Sequence, residues 1–431
     1  MNKELLKQVI VSNDEYIHKY IKFIVKREGI LLPKSLSKVF IFYGARRSGK
    51  TFILFDLFKK YAANSIYLDF EDDRLQDFSL ADFGKLKEVL FELKPELIGK
   101  KLLFFLDEVQ NVKAWEKFCR RAVERENINI FVSGSSSKIM PYEIHTELRG
   151  RAWSTEVLPF SFREYLCSKK IDIDDNNIFY GTNKPFLKNH FLEYLNWGGF
   201  PETSLVESEF EKRKLLKEYM SAMFFRDLVE RYKITNIQLL ETLINKLFSS
   251  FSTKLSLTSF YKQYKGKFPL SKDLLFKYYK HILESMLVFE VNKFAESTYK
   301  RTRNPSKIYL IDTGLCKRLT SKDTGRQLEN VIYLELRRRG YEIFYFEEGK
   351  ECDFIASKSN KFFPFQITYE LNENNTKRET EGIIEACKWF HLKNGTIITY
   401  DEEKDIRIDG ININIVPAWK WLVKRREIHQ E

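Results

Sequence analysis

The stretch KVFIFYGARRSGKTFILFDLFKKY, residues 38–61, decides the fold of the first part of the chain. It opens with a short run of β-branched and aromatic residues, which predicts a buried strand. A turn containing two glycines follows, and apolar residues then recur at helical spacing. A strand, a glycine-containing turn and a helix in this order are typical of an α/β fold with a parallel sheet.

The turn in this stretch has the residues that a phosphate-binding loop needs. Residues 44–51 match the pattern G-x-x-x-x-G-K-[S/T] at every fixed position. Glycines let successive backbone N–H groups point at phosphate oxygens, Lys50 neutralises phosphate charge, and the Thr51 hydroxyl can ligate Mg²⁺. We therefore predict ATP and Mg²⁺ as cofactors. The predicted cofactor-binding residues are Gly44, Ala45, Arg46, Arg47, Ser48, Gly49, Lys50, Thr51, Phe52, Ser133 and Ser135.

A second apolar strand, residues 102–107, ends in an acidic pair. Asp107 is predicted to hold Mg²⁺ together with Thr51, and Glu108 is predicted to polarise the attacking water. Acidic residues are also common at the ends of ordinary strands, which is the alternative reading of the pair. The phosphate-binding pattern upstream favours the catalytic interpretation.

Two polar features further along complete the predicted nucleotide site. Ser133 and Ser135 follow a third apolar run and form a small polar turn, a position suited to sensing a γ-phosphate. Arg149 and Arg151 flank a glycine, and an arginine there could reach a γ-phosphate of the same subunit or of a neighbour. A purely structural role is the alternative for both arginines. The predicted catalytic residues are Lys50, Glu108, Arg149 and Arg151.

The overall composition is that of a globular protein. A length of 431 residues suggests about three domains, and 43% apolar with 31% charged residues is typical of soluble proteins. The apolar runs are far shorter than the ~20 residues that a membrane span requires. The five cysteines are scattered and form no CxxC pair. We therefore expect a reduced, cytoplasmic protein with no membrane association and no structural zinc.

The positive charge of the chain is concentrated in one region. The net charge is +12, and residues 231–320 contain 17 Lys and Arg against 6 Asp and Glu. Nearly the whole excess therefore lies in about one fifth of the chain. This concentration favours a polyanionic partner, although a basic surface without a partner is the alternative.

The same region has the pattern of a helix-turn-helix followed by a β-hairpin wing. Three helical segments begin near residues 237, 256 and 271, and two strands joined by the basic tip 299–304 follow. This shape predicts nucleic acid, duplex DNA in particular, as a partner bound through residues 254–305. A lid or a protein interface is the alternative use of the same shape. The predicted contact residues are Lys272, Lys277 and Lys280 on the helix and Lys300, Arg301 and Arg303 on the wing. The aromatic residues Phe276, Tyr278 and Tyr279 are predicted to be core rather than base-stacking groups.

At the level of whole motifs the chain resembles a known family. GARRSGKT, FLDEVQNV, FVSGSSSK, LRGR, LPFSFREYL, GGFPE, FFRDLVERYKI, NPSKIYLIDTGL, LEN, CDFIA and FQITYEL occur in this order. They are similar to motifs of prokaryotic ATPases of the AAA type that join a P-loop domain to a C-terminal domain of unknown function. The resemblance runs from about residue 20 to beyond residue 400. It implies an AAA+ or STAND-like ATP switch, a helical lid, a winged helix and a nuclease-like fold, with Arg226 as a further candidate sensor.

The C-terminal segment has the element order of a PD-(D/E)XK nuclease core. Such a site needs acidic groups for Mg²⁺ and a lysine two residues beyond the third ligand. The predicted metal ligands are Glu329, Asp353 and Gln366. Thr368 occupies the lysine position and cannot carry the charge, although Lys361 or Lys377 is near enough in sequence to be a displaced lysine. The segment is therefore predicted to be a catalytically impaired nuclease-like domain.

Together these features predict a multidomain α/β protein. The predicted domains are 1–32 (N-terminal helical segment), 33–165 (parallel-sheet P-loop ATPase core), 166–235 (helical lid), 236–320 (winged helix) and 321–431 (αβ nuclease-like domain). The predicted function is ATP binding and hydrolysis, with the nucleotide state controlling the engagement of nucleic acid. Two alternatives remain open at this level. One is an ATP-gated, metal-dependent DNA nuclease, and the other is a STAND-like scaffold that binds a protein partner.

Overall fold

The structure, a computed structural model, forms two compact units. It describes residues 1–33, 36–135, 144, 146–173, 176–295, 304–318 and 323–424. The first unit comprises residues 1–158 and the second residues 159–431. The finer five-part division given above remains a prediction.

The first unit is built on a five-stranded parallel sheet with the order β2-β3-β4-β1-β5. Its strands are β1 (Val39–Gly44), β2 (Ser65–Asp69), β3 (Leu102–Asp107), β4 (Ile128–Ser135) and β5 (Ala152–Glu156). Its helices are α1 (Lys3–Tyr20), α2 (Lys50–Tyr61), α3 (Phe83–Leu93) and α4 (Trp115–Arg125). Two apolar clusters formed by side chains of the sheet and the helices make up the core, as expected for a parallel sheet with both faces covered.

The strand order places the predicted nucleotide residues at one edge of this sheet. Because all five strands are parallel, the carboxyl ends of β1, β3 and β4 meet at the same edge. The loop from Gly44 to Thr51 leaves β1 at this edge. Helix α2 begins immediately after Gly49, whose φ of 94° lies in the left-handed region that favours glycine. The predicted strand–turn–helix order of residues 38–61 is therefore confirmed.

The second unit begins with a group of helices. They are α5 (Phe162–Ser168), α6 (Asn183–Trp197), α7 (Pro201–Leu205) and α8 (Glu209–Ala222), and α8 continues into the π-helical segment Met223–Glu230. None of the helices in the described ranges of the chain has the length and apolar character needed to span a lipid bilayer.

Two of the quoted motifs, GGFPE and IDTGL, meet inside this unit. Asp312 accepts hydrogen bonds from the backbone N–H groups of Gly199 at 2.7 Å and Gly314 at 2.8 Å. A Cβ atom at Gly198, where φ is 75°, would lie 1.6 Å from the Asp312 side chain. Burial raises the pKa of Asp312 to about 7. These motifs therefore have a structural role, since glycine is required where the carboxylate approaches the backbone.

A three-stranded antiparallel sheet and three helices follow. The helices are α9 (Ile237–Ser249), α10 (Leu257–Tyr264) and α11 (Lys272–Glu284), and the strands are β6 (Thr253–Leu255), β7 (Val288–Val291) and β8 (Ser306–Leu310). The strand order is β6-β8-β7. Helix α11 begins where it was predicted because the Ser271 hydroxyl accepts a hydrogen bond from the N–H of Leu274 at 3.1 Å. The predicted helices and strands are confirmed, whereas the tip with Lys300, Arg301 and Arg303 lies outside the described residues.

A six-stranded mixed sheet completes the second unit. Its strands are β9 (Glu342–Glu347), β10 (Glu351–Lys358), β11 (Lys361–Ile367), β12 (Asn394–Thr399), β13 (Lys404–Ile408) and β14 (Ile411–Pro417). Its helices are α12 (Thr324–Arg338), α13 (Thr376–Trp389) and α14 (Ala418–Val423). The order is β13-β14-β12-β11-β10-β9, with β11, β12 and β14 parallel to one another. Helix α13 connects β11 to β12, as a parallel pair requires.

Candidate functional sites: a nucleotide-binding edge and a buried carboxylate cluster

The predicted phosphate-binding loop has a strongly curved backbone. Both Arg47, with φ of 67°, and Gly49 adopt left-handed conformations. The guanidinium of Arg27 donates hydrogen bonds to the carbonyl of Ser48 at 2.8 Å and to the carbonyl of Leu158 at 2.6 Å. Arg27 was not predicted as a site residue, because its partners are backbone atoms far away in sequence. Arg27 thus ties the backbone of the phosphate-binding loop to the backbone at Leu158.

Within this loop, two side chains have polar atoms suited to phosphate. The Lys50 ammonium is buried and donates to the carbonyls of Gly44 at 3.2 Å and Ala45 at 3.0 Å. The Ser48 hydroxyl is buried and has no hydrogen-bond partner among the described residues. Because a buried polar group without a partner is costly, this hydroxyl fits a ligand with oxygen atoms. The loop therefore fits a nucleotide phosphate.

Two further residues predicted to bind the cofactor, Arg46 and Phe52, have side-chain partners outside the phosphate-binding loop. Arg46 contacts Glu71 at 3.4 Å, between its guanidinium and the carboxylate. Phe52 lies in the first turn of α2 and packs against the rings of Tyr20 and Phe55. Phe52 thus anchors the start of α2 to the core, and its side chain has a packing role.

The carboxylate of Asp107 is the centre of a hydrogen-bond network at the same edge. The phenol of Tyr67 donates to it at 2.9 Å, and the hydroxyls of Ser133 and Thr51 also bond to it. Burial and the neighbouring Glu108 raise the pKa of Asp107. Thr51 and Asp107, the two residues predicted to hold Mg²⁺, thus lie in hydrogen-bond contact, and both carry oxygen atoms of the kind that Mg²⁺ prefers.

Glu108 is held beside Asp107 in an uncommon backbone conformation with φ of 47°. Its carboxylate accepts hydrogen bonds from the side-chain amide of Gln110 and from the N–H of Ser135, the latter at 3.3 Å. Its own N–H lies 3.4 Å from the Ser133 hydroxyl. Ser133 and Ser135 were predicted in a turn, but both lie within β4, and they contact the two acids.

A second aspartate that was not predicted lies on the adjacent strand. Asp69 is the last residue of β2 and lies opposite Asp107 in the sheet register. Burial raises the pKa of Asp69 to about 7, and the Asp107 charge acts in the same direction. Asp69 ends an apolar strand and Tyr67 lies two residues before it, and this position near a strand end was the only signal by which the sequence could have indicated them.

The two candidate arginine sensors of the first unit do not join this cluster. Arg149 and Arg151 precede β5, and the carbonyl of Arg151 accepts a hydrogen bond from the N–H of Val39 at the amino end of β1. They therefore lie at the edge of the sheet opposite to the phosphate loop. The Arg151 side chain is paired with Glu124 at 3.0 Å. Arg226 is exposed in the π-helical segment of the second unit.

One face of helix α11 carries the lysines predicted to contact nucleic acid. Lys272, Lys277 and Lys280 are exposed, and the exposed Phe276 lies between them. Phe276 was predicted to be core together with Tyr278 and Tyr279. That prediction is wrong for Phe276, which is 50% exposed, whereas both tyrosines are buried. A helix periodicity of 3.6 residues places positions 272, 276 and 280 on one side, away from the core.

In the second unit, two of the three predicted nuclease-like ligands, Glu329 and Asp353, contact a lysine that was not predicted. The ammonium of Lys307 on β8 lies 2.8 Å from Asp353, 2.7 Å from Glu351 and 3.2 Å from Glu329. Burial opposes the charge of Lys307, but Asp353 and Glu329 hold its pKa well above the ordinary value. The phenol of Tyr309 donates to Glu329 at 2.6 Å.

The other residues predicted for this site have different partners. Gln366 accepts from the N–H of Asp353 at 3.2 Å and donates to Glu379 at 2.6 Å. The Thr368 hydroxyl donates to the carbonyl of Glu370 at 3.0 Å. Of the two lysines considered as displaced replacements, Lys377 is 85% exposed and lies 3.8 Å from Glu381, and Lys361 is exposed at the start of β11. The structure places Lys307 among the acids instead.

Comparison with known families matches three successive parts of the chain. Residues 36–166 match a family described as an AAA domain. Residues 188–326 and 324–421 match two families described as domains of unknown function, DUF8612 and DUF4143. The first match, together with the loop geometry, supports an AAA-type P-loop domain.

Similar proteins extend over nearly the whole chain. The uncharacterised protein MJ1544 of Methanocaldococcus jannaschii is 38% identical, with 97% of this chain and 95% of that protein covered. An uncharacterised protein of Haemophilus influenzae is 24% identical, with 96% and 99% covered. Among solved structures, the RuvB Holliday junction branch migration motor of Thermotoga maritima is 15% identical, with 67% of this chain and 94% of that chain covered. Its TM-score of 0.26 is too low to support an argument.

Proposed function

We propose, given that the chain belongs to the same family as MJ1544 and carries an AAA-type domain, that it binds and hydrolyses ATP and that its nucleotide state controls the engagement of nucleic acid. The observation that carries the ATPase part is the convergence of Lys50, Thr51, Asp107 and Glu108 at one edge of the parallel sheet. The orphaned hydroxyl of Ser48 adds a polar group that phosphate would satisfy.

Each residue at this edge has a chemical role in the proposed reaction. Mg²⁺ bound with ATP supplies positive charge that offsets the charge developing on the phosphates. With nucleotide bound, Lys50 would exchange its two carbonyl partners for phosphate oxygens, and Thr51 and Asp107 would hold the metal. Glu108 orients the attacking water and accepts its proton. Ser133, bonded to Asp107 and close to the N–H of Glu108, keeps the two acids in register.

The direct test of the ATPase is phosphate release by Lys50→Ala. We expect at least ~100-fold slower release, since Lys50 stabilises charge that increases in the transition state. Lys60→Ala is the matched control, because Lys60 is an exposed lysine at the end of the same helix. Release by Lys50→Ala at the wild-type rate would contradict the proposed role of the loop.

The nucleic-acid part of the proposal rests on the order of elements in residues 237–310. The region contains three helices, a short strand between the first and second, and a final antiparallel pair. This order of elements supports the winged helix that we propose here. The exposed face of α11 then corresponds to a recognition helix, with three lysines for phosphates and Phe276 among them. A positively charged helix face of this kind is suited to duplex DNA.

A matched pair of triple variants tests this surface. Replacing Lys272, Lys277 and Lys280 with Gln should weaken binding of duplex DNA and lower the slope of log affinity against log salt by about 2–3. The control replaces the exposed Lys377, Lys393 and Lys404 with Gln, which removes the same charge elsewhere in the second unit. Equal losses in both variants would show that only net charge matters.

The coupling between the two activities is measured by adding DNA to the ATPase assay. Duplex DNA should accelerate phosphate release by the wild type, and added salt should remove the acceleration. If hydrolysis occurs but DNA neither binds nor accelerates it, the STAND-like scaffold with a protein partner replaces this half of the proposal. We propose no DNA cleavage by the C-terminal domain, because an ammonium lies among its acids.

A further inference from the structure

The two carboxylates that the nuclease pattern assigns to a metal ion, Glu329 and Asp353, already contact a positive charge together with Glu351, which was not predicted. Asp353, Glu351 and Glu329 each place one oxygen within 2.7–3.2 Å of the Lys307 ammonium. Side-chain exposure is 3% for Lys307, 12% for Glu329 and 10% for Asp353. Glu329 and Asp353 are therefore buried around a cation that the protein itself supplies, whereas Glu351, with 36% side-chain exposure, is partly open to solvent.

We propose that the Lys307 ammonium permanently replaces the divalent metal ion of this cluster and thereby fastens the three-stranded sheet to β10 and α12. The site is then a metal-independent structural joint that has kept the acids of a nuclease core. This inference is independent of the ATPase activity proposed above.

The hydrogen-bond partners of the surrounding oxygens support this assignment. The Glu329 oxygen that faces Lys307 also accepts from Tyr309, and the second oxygen of Asp353 accepts from the N–H of Ile367 at 3.0 Å. The amide oxygen of Gln366 is used by the N–H of Asp353. In the described part of the chain, no three His, Cys, Asp or Glu side chains are arranged to hold a metal ion. A divalent ion would have to displace Lys307 and part of this network.

The pairing of β6 with β8 brings two lysines close together, and carboxylates are needed to offset their mutual repulsion. Lys254 on β6 lies directly opposite Lys307 on β8, and like charges in such a pair repel. The Glu351 carboxylate lies between them, with one oxygen 2.7 Å from each ammonium. Lys254 also contacts Glu347 at 2.6 Å. Two lysines of the small sheet are thus neutralised by acids of the large sheet.

The burial of Lys307 argues against a role as the displaced catalytic lysine. A catalytic lysine must contact the attacking water and a phosphate of the substrate. A side chain with 3% exposure and three carboxylate partners reaches neither. The nuclease pattern requires a lysine at position 368, where this chain has a threonine, and the buried Lys307 does not take over that catalytic role.

Metal binding by nucleotide-free protein tests the proposal. The probe is Mn²⁺, followed by the loss of its free electron paramagnetic resonance signal, in an Asp107→Asn background that removes the ATP-site acid. We expect this protein to bind no Mn²⁺ at the cluster. Binding that is lost on adding Asp353→Asn would overturn the proposal, and this result does not depend on any lysine variant folding.

Lys307→Met tests the converse, because it keeps the length of the side chain and removes the charge. In the same background, we expect this variant to gain Mn²⁺ binding and a melting temperature that rises by roughly 5–10 °C at a hundredfold excess of Mn²⁺ over Kd. Lys350→Met is the control, because Lys350 is 55% exposed and paired with Glu381. It should show no gain. A folded Lys307→Met protein that gains nothing from Mn²⁺ would refute the replacement of a metal by the ammonium.

Discussion

Two buried acidic clusters of this protein differ in what surrounds their carboxylates. In the first unit, Asp107 accepts hydrogen bonds from neutral hydroxyls, those of Tyr67 and Ser133 among them. In the second unit, Asp353 is paired with the ammonium of Lys307. Burial raises the pKa of Asp107, so its charged form is disfavoured until a cation arrives. Asp107, whose described hydrogen-bond donors are neutral, therefore still has an unbalanced negative charge that a metal ion would neutralise. The charge of Asp353 is already balanced by the ammonium of Lys307.

The largest expected effect separates the clusters by activity. Glu108→Gln should slow phosphate release by about 10²–10⁴-fold, because the amide cannot accept the proton of the attacking water. Binding of a fluorescent ATP analogue should be retained. Glu351→Gln makes the same chemical change in the second cluster and should leave the hydrolysis rate unchanged. A comparable loss of hydrolysis in Glu351→Gln would contradict the assignment of ATP hydrolysis to the first cluster alone.

The next effect separates the clusters by stability. Lys307→Met leaves the buried carboxylates of Glu329 and Asp353 without their shared ammonium partner and should lower the free energy of unfolding by about 3–5 kcal/mol. Lys50→Met loses hydrogen bonds to two carbonyls and should cost no more than about 1.5 kcal/mol per bond. Urea unfolding of nucleotide-free protein measures both variants. Equal losses of unfolding free energy in the two variants would mean that Lys50 and Lys307 contribute equally to stability.

The pH dependence of stability sharpens the same comparison. The pKa of Asp69 is about 7 in the folded protein and 3.8 as its ordinary value, mainly because of burial. Between these values the folded state holds a proton that the unfolded state has lost. Stability should therefore fall as the pH rises from about 4 to 7, and this group should contribute no slope above 7. The expected change is on the order of 2 kcal/mol, discounted for the partial exposure of Asp69.

Asp69→Asn should flatten that slope, and unfolding midpoints measured at pH 5, 6, 7 and 8 would show it. Asp77→Asn is a suitable control, because Asp77 is exposed in the same unit. An unchanged slope in Asp69→Asn would assign the pH dependence to another group.

The smallest expected effects come from one tyrosine in each cluster. Tyr67→Phe removes the hydroxyl that bonds to Asp107, and Tyr309→Phe removes the hydroxyl that bonds to Glu329. Each should cost about 1.5 kcal/mol of stability, the value for a hydrogen bond to a charged group. Only Tyr67→Phe should change the Mg²⁺ concentration that gives half-maximal hydrolysis. A shift of that concentration in Tyr309→Phe would contradict the assignment of the metal to the first cluster alone.

The parts of the site that sequence could predict are those carried by local patterns. Residues 44–51 and the acidic pair at 107–108 lie next to strand ends, and a strand followed by a glycine turn or by acids can be read from a few neighbouring residues. The three helices and two strands predicted within residues 237–310 were found for the same reason, since helix α11, for example, begins directly after the hydroxyl cap Ser271.

The parts that sequence could not predict depend on contacts between distant residues. Lys307 is 22 residues from Glu329 and 46 from Asp353, and it lies in a short strand where a lysine ordinarily faces solvent. The basic excess of residues 231–320 suggested an external partner, yet Lys307 and Lys254 are paired inside the protein. Phe276 was assigned to the core from its aromatic neighbours, but the helix turns it outward.

The double contact of Arg27 links the loop to the point where the first unit ends. One guanidinium bonds to the carbonyl of Ser48 in the loop and to the carbonyl of Leu158, the last residue of that unit. The N–H of Val157 donates to the carbonyl of Tyr43 at 2.7 Å, and a Cβ at Gly44 would lie 2.1 Å from the carbonyl oxygen of Val157. Moving the loop away from the last two residues of the first unit would therefore break these hydrogen bonds, so that a shift in either segment is passed on to the other.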